Sequence, residues 1–287
     1  MLIETHAHLD YPDFANDFDD VLRRASEAGV IGIITIGTSI ESSRRAIELA
    51  EKYPNIFAVI GVHPTYAEEA GDDVMTPLRE LAKSPRVVAI GETGLDYHRL
   101  PSVEAAKDKK VQVFANALQG ETEEQIDASI EDGAYKSKQA MLFEQQLDLA
   151  VELGLNVVIH QRDAWEDTLG VMQPYTDRLH GVFHCFGGSR EQAEEVFALD
   201  HLVSFTGIVT FKNGASVREV AAQIPLTRFM VETDCPYLAP VPFRGKRCEP
   251  AYTRLVAESI AAAREIPLQE LAEATTETAE NFFRFKR

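Results

Sequence analysis

The chain has 287 residues, 45% hydrophobic and 26% charged, which suits one large globular domain or two modest ones. Its net charge of −18 disfavours passive binding to nucleic acid, where neutralising phosphates supplies most of the affinity, but leaves room for a nucleic-acid substrate held by bound metals and a few local basic residues. Three cysteines without a CxxC pair argue against a disulfide framework; no apolar run reaches membrane-spanning length and no signal-peptide pattern opens the chain, so a cytoplasmic protein is expected.

Apolar, β-rich runs alternate with helical patterns from end to end. The first run, residues 2–9, carries His6 and His8, which alternation along a strand turns to the same face. Two imidazoles side by side suit a divalent transition metal, and they also suit a hydrogen-bonded core pair. A helix over about 18–28 follows, stopped by Gly29. The second run is 30–37, and Thr38 with Glu41 forms a possible capping box for a helix to about 53. The third run, 57–62, ends in His63-Pro64; the fourth, 87–91, ends in Glu92. The rhythm then breaks. Residues 100–135 are polar and acidic, and they read as an insertion in the loop after strand four, with the next helix beginning only near Lys136 and stopping at Gly154.

The alternation resumes with run 156–159, ending in His160, and a helix over about 164–172. Run 181–183 ends in His184, and Ser189 with Gln192 predicts a capping box for a helix to about 199. Run 202–211 and run 229–231 follow, the last leading into Glu232-Thr233-Asp234; helices over about 250–263 and 268–283 close the chain. Eight strands alternating with helices predict a single α/β domain over residues 1–287, a slightly irregular (β/α)8 TIM barrel with an inserted helical segment after strand four. A doubly wound open sheet is the alternative, but no Gly-rich turn follows the first strand.

Five of the eight histidines end apolar runs: His6, His8, His63, His160 and His184, with Glu92, Glu232 and Asp234 in equivalent positions. In a (β/α)8 barrel those ends converge on one face, where active sites are built. Singly, each is as well explained by a hydrogen-bonded histidine or a helix-capping carboxylate. Together they suit a pair of divalent ions (Mg, Mn or Zn), since nitrogen and oxygen ligands without thiolates exceed what one tetrahedral ion needs. Glu92 is the expected bridge, because its strand lies between those of His6/His8 and His160/His184. Asp234 is expected to ligate the first ion and to take a proton from the attacking water.

The stretches THAHLD at 5–10, IGVHP at 60–64, IGETGLDY at 90–97, VIHQRDA at 158–164, HCFGG at 184–188, and ETDCPYL at 232–238 followed by RGKR at 244–247 resemble the TatD-like DNases of the amidohydrolase-type barrel superfamily. The resemblance implies that His6, His8, Glu92 and Asp234 hold one metal and Glu92, His160 and His184 the other. It implies further active-site roles for His63 and Glu232, in contacting phosphate or orienting ligands. It also implies hydrolysis of phosphodiester bonds in nucleic acid, at DNA ends and possibly in RNA, with 3′-to-5′ exonuclease polarity. The 100–135 segment is longer than the family pattern, and Cys248 stands where an Asn is expected.

Arg244, Lys246 and Arg247 read as a phosphate clamp beside the site, or as a solvated basic loop. Tyr97, Phe186 and Tyr237 could stack on bases or pack the barrel rim. Cys185 and Cys235 are expected to be small core residues, Trp165 to pack against the barrel, and His98, His180 and His201 to lie on the surface or in loops. The expected protein is a monomeric, metal-dependent phosphodiesterase. An amidohydrolase-type enzyme cutting a C–N or ester bond in a small molecule is the second reading, and a non-catalytic metal-binding scaffold the third.

Overall fold

The computed structural model describes residues 1–71, 73–103 and 123–285. Eight parallel strands are hydrogen-bonded in sequence order: β1 (Leu2–Ala7), β2 (Val30–Ile36), β3 (Ile56–Ile60), β4 (Val87–Asp96), β5 (Asn156–Arg162), β6 (Gly181–Phe183), β7 (Leu202–Phe205) and β8 (Phe229–Val231). The segment after β8 meets β1 through a single bridge between Ala7 and Cys235, so the barrel is nearly closed. The expected TIM barrel and its irregularity are both present. β3, β6 and β8, read as IFAVI, GVF and FMV, have no polar residue and are buried at every position, as a parallel sheet covered on both faces requires.

Among the described residues the helices are α1 (Phe18–Glu27), α2 (Ile40–Lys52), α3 (Met75–Leu81), α4 (Glu123–Leu153), α5 (Trp165–Met172), α6 (Arg190–Ala198), α7 (Ala215–Gln223), α8 (Thr253–Arg264) and α9 (Leu268–Phe283). The Ser189–Gln192 capping box at the start of α6 is present with both of its hydrogen bonds. The cap of α2 is Ser39, one residue beyond the expected Thr38, because the Ser39 hydroxyl accepts from the Ser42 amide. α3 and α7 are helices that the sequence pattern did not predict.

Two larger corrections concern β4 and its helix. α4 spans Glu123–Leu153, so its described part begins before the expected Lys136 and residues 123–135 are helical. Residues 104–122 of the expected insertion lie outside the described residues. β4 continues past Glu92 to Asp96, with one extra residue against β5 between Ile90 and Thr93. β1 carries a matching extra residue against β2 between Glu4 and Ala7. Such bulges bend a strand and re-aim its side chains. Both lie beside the residues that end at the barrel mouth. Gly94 allows β4 to press against β5, since a Cβ there would overlap the His160 carbonyl.

α4 is pinned to β4 from behind by two buried amides. Gln146 accepts from the Val62 amide and donates to the Thr93 hydroxyl; Gln139 accepts from the Asp96 amide. The part of β4 that follows Glu92 is thereby held at Thr93 and at Asp96. The seventh run is also shorter than expected: β7 stops at Phe205, where Thr206 caps a short 3₁₀ turn over Gly207–Thr210.

Candidate metal centre

The carboxylate of Glu92 lies between two groups of histidines at the C-terminal end of the barrel. Its Oε2 faces His6 Nε2 at 3.5 Å and His8 Nε2 at 3.8 Å. Its Oε1 faces His160 Nδ1 and His184 Nε2, both at 2.8 Å, and His63 Nε2 at 3.5 Å. Asp234 Oδ1 completes the first group, 3.3 Å from His8 Nε2 and 3.8 Å from His6 Nε2. Three sets of ligand-type atoms lie within 4.8 Å of one another: His6, His8 and Asp234; His63, Glu92 and His160; and His6, His184 and Glu232.

Both ring nitrogens of His6, and Nδ1 of His184, are buried without a hydrogen-bond partner. An unpaired buried polar atom is costly in a finished core and expected in a cluster shaped for an ion. The donor set is imidazole and carboxylate with no thiolate, which suits Zn, Mn or Mg. The residues present therefore fit a divalent metal centre.

Local backbone geometry aims these side chains. Asp163, Cys185 and Asp234, each just after a strand, adopt positive φ of 57°, 50° and 60°. Such left-handed residues are uncommon for side chains other than glycine, and they turn the chain sharply at the mouth. At Asp234 the turn is fixed by its amide, which donates to the His6 carbonyl at 3.0 Å. Alternation from His184 would have sent Cys185 into the core. Its left-handed turn instead leaves it half-buried at the wall of a cavity. Cys235 is buried, as expected.

Two carboxylates that the site reading omitted hold the histidines in place. Asp96 Oδ2 lies 3.2 Å from His160 Nε2, the ring edge opposite Glu92, while Asp96 Oδ1 accepts from the His98 amide. Alternation from Glu92 through Gly94 puts Asp96 on the same face, a signal the sequence did carry. Glu4 Oε1 accepts from the His6 amide at 2.9 Å and the Thr233 amide at 3.0 Å, and its Oε2 accepts from the Thr253 hydroxyl. It thus joins β1 to the end of β8, where strand pairing is thinnest. Burial, only partly offset by Thr253 and the two amides, pushes its carboxyl up to about 8.

Glu232 is fully committed inside the protein. It accepts from the Cys185 amide and from the Ser204 hydroxyl, each at 2.6 Å, and its Oε1 lies 3.8 Å from His184 Nδ1. It braces the ends of β6, β7 and β8 rather than facing open space. Burial and then the charge of His160 push His63 down to about 4; burial and then His184 lower His6. Against burial, which favours its neutral form, the charges of His184 and His63 hold Glu92 well below the usual carboxylate range.

The expected substrate contacts are scattered. Arg247 is turned away, with Nη1 and Nη2 each 2.7 Å from the Asp17 carboxylate and Nη2 2.9 Å from Glu249. The guanidinium of Arg244 lies 3.6 Å over the Phe211 ring, and the ammonium of Lys246 lies 5.7 Å from the Phe243 ring. Cys248 is buried beside them, its amide donating to the Pro236 carbonyl. The Tyr97 hydroxyl donates to Asp167, and Tyr97, Trp165, Phe186 and His184 line a cavity of about 570 Å³ between the loops after β5 and β6. Phe186 is nearly inaccessible, whereas Tyr237 is 54% exposed beyond His8 and Tyr11. Trp165 packs on Phe183 and Phe186 as expected, and lines the cavity as well. His98 is exposed and pairs with Asp163. His201, expected at the surface or in a loop, lies in the loop before β7 but is fully buried; it accepts from the Gly181 amide, and burial pushes it down to about 4.

Residues 3–284 match the family model described as TatD related DNase. The chain is 38% identical over 285 residues to the "Uncharacterized metal-dependent hydrolase YabD" of Bacillus subtilis (strain 168), covering 99% of each chain. It is 33% identical over 289 residues to the "3'-5' ssDNA/RNA exonuclease TatD" of Erwinia tasmaniensis, covering 98% of this chain and 99% of that one. Among solved structures it superposes on the TatD homologue YjjV of Escherichia coli K12 with a TM-score of 0.82 and 28% identity, covering 99% of this chain and 98% of the other. Barrel, histidine-carboxylate cluster and full-length similarity agree: the chain belongs to the TatD related DNase family of metal-dependent hydrolases.

Proposed function

We propose that this hydrolase cleaves phosphodiester bonds at the ends of single-stranded DNA or RNA, removing nucleotides from the 3′ end with two bound divalent ions. The observation that carries the two-ion reading is the division of Glu92, one oxygen toward His6 and His8 and the other toward His160 and His184. His6, His8, Glu92 and Asp234 would hold one ion, and Glu92, His160 and His184 the other. The nucleic-acid reading is supported by relatives of near-equal length that carry the ssDNA/RNA exonuclease name.

Divalent ions at such a centre supply a water nucleophile at neutral pH and offset charge on the phosphoryl oxygens. The chain's own groups do the rest. Asp234, 16% exposed, is the carboxylate of the cluster with access to solvent, and it accepts the proton of the attacking water. Asp96 fixes the ring of His160, and Glu232 braces the turn after His184 through the Cys185 amide. His63, anchored through Nδ1 to the Thr65 hydroxyl at 2.7 Å, keeps Nε2 toward Glu92 and is positioned to contact a phosphate oxygen. Arg244 and Lys246, which have no carboxylate partner among the described residues, provide outlying positive charge.

The test is a screen of Mg, Mn and Zn with 5′- and 3′-labelled single-stranded oligonucleotides. The expected result is stepwise loss of 3′ label, abolished by chelation. Turnover of small amides or esters with intact oligonucleotides would replace this reading with the amidohydrolase one.

A further inference from the structure

We propose that the cavity between the loops after β5 and β6 is a subsite for a single nucleoside 5′-monophosphate, with Arg162 holding the phosphate and Trp165 the base. The inference rests on the phosphodiesterase reading above, and it identifies where the terminal nucleotide sits. The cavity, about 570 Å³, falls within the range of roughly 300–1,000 Å³ typical of small-molecule sites. It opens directly beside the cluster, because His184 forms part of its wall.

Its two ends differ in chemistry. Arg162 is the last residue of β5, two positions after His160, and its side chain is exposed at the cavity wall. Among the described residues no carboxylate lies within ion-pair distance of its guanidinium. A planar fork of N–H donors without a partner, next to a centre that handles phosphate, suits a phosphate dianion. Deeper in, Trp165 rests against Phe183 and Phe186, and its indole N–H donates to Glu195 at 2.8 Å. The ring is therefore held in one orientation, with its remaining surface available for stacking; a base on an aromatic ring is worth about 1–3 kcal/mol in single-strand binding proteins.

The acidic rim does not oppose this arrangement in full. Asp163 is paired with His98, and Asp167 accepts from the Tyr97 hydroxyl. Glu166 remains as the one carboxylate of the rim with neither kind of partner, and its charge works against a phosphate. A terminal nucleotide whose phosphate lies at Arg162 would keep its 5′ linkage toward His184 and its base on Trp165. That phosphate is the scissile one: water adds to its phosphorus, the bond to the 3′ oxygen of the preceding nucleotide breaks, that oxygen departs as a hydroxyl, and a nucleoside 5′-monophosphate is left in the cavity.

Trp165 is the chain's single tryptophan, so its fluorescence reports occupancy without reference to catalysis. The full-length protein is titrated with deoxyadenosine 5′-monophosphate, deoxyadenosine or inorganic phosphate, exciting at the red edge of the indole band. The monophosphate is expected to quench saturably and the nucleoside to bind at least tenfold more weakly. Phosphate alone is expected to leave the spectrum unchanged. Arg162→Gln, an exposed change whose folding is checked by circular dichroism, is expected to weaken the monophosphate at least tenfold and leave the nucleoside unaffected. Glu166→Gln is expected to strengthen the monophosphate. Absence of saturable quenching, or equal monophosphate affinity in Arg162→Gln, overturns the subsite. Oligonucleotide degradation with a silent Trp165 rejects the subsite alone; monophosphate binding with no degradation rejects the nuclease reading and keeps the subsite.

Discussion

Arg162 ends β5 and Arg247 follows β8 at the same end of the barrel, yet the fold gives them opposite circumstances. Arg247, after β8, is held by Asp17 and Glu249, and Arg24 joins the same carboxylates from α1. Arg162, at the end of β5, faces a cavity with no carboxylate partner among the described residues. The first ties the loop after β8 to the N-terminal helix; the second is free to meet a ligand. A positive residue in a motif therefore acquires its role from what surrounds the guanidinium, since an arginine already saturated by carboxylates has little left for phosphate.

Glu92 is shared by the two sides of the mouth, so the largest effect is expected there. Glu92→Gln should reduce turnover at least about 10³-fold, the scale on which groups acting as a unit fail, and reduce bound metal on both sides. Elemental analysis of purified variants then separates the sides. Asp234→Asn should lose the ion of the β1/β8 side and His160→Ala that of the β5/β6 side. Full metal content in both variants would contradict the division of Glu92.

Asp96→Asn comes next. It leaves His160 in place but weakens its orientation, so metal affinity should fall by about 10–100-fold while the thermal midpoint barely moves. A titration in which wild type and variant bind metal alike would remove Asp96 from the site.

Arg247→Ala is expected to act on stability, lowering the melting temperature by a few degrees without changing the KM for oligonucleotide. The pH dependence sharpens this. The Arg247 guanidinium, and then Arg24, hold the Asp17 carboxyl below its ordinary range. Its contribution is therefore complete above that range and is lost as pH falls through the lowered value. Wild type and Arg247→Ala should converge in strong acid; a difference that instead widens there would show that the ion pairs are not its source. The smallest effect is expected for Lys246→Ala, about twofold at most in the KM for oligonucleotide, and reduced further by salt.

Several elements could be read from local pattern because local pattern is what forms them. Ser189 and Gln192 satisfy each other's amides within one turn, and no distant residue is needed. The strand-end histidines were visible because every strand of such a barrel delivers its last residues to one face. The bulges in β1 and β4 were not visible: an extra residue is a property of a strand pair, and neither sequence segment contains it alone. The same reason hides the turn of Cys185, the burial of His201 and the commitment of Arg247 to Asp17, 230 positions away.

By itself the sequence determined the barrel, the family and the set of ligand-type side chains at its mouth, because alternation of apolar runs and residue chemistry are local. Only the tertiary structure decided that Asp96 and Glu4 hold His160 and the His6 amide, that Glu232 is committed to the Cys185 amide and Ser204, and which arginine keeps its charge available. Those outcomes depend on burial and on partners far apart in the chain, and electrostatic and hydrogen-bond satisfaction is settled only when the partners meet.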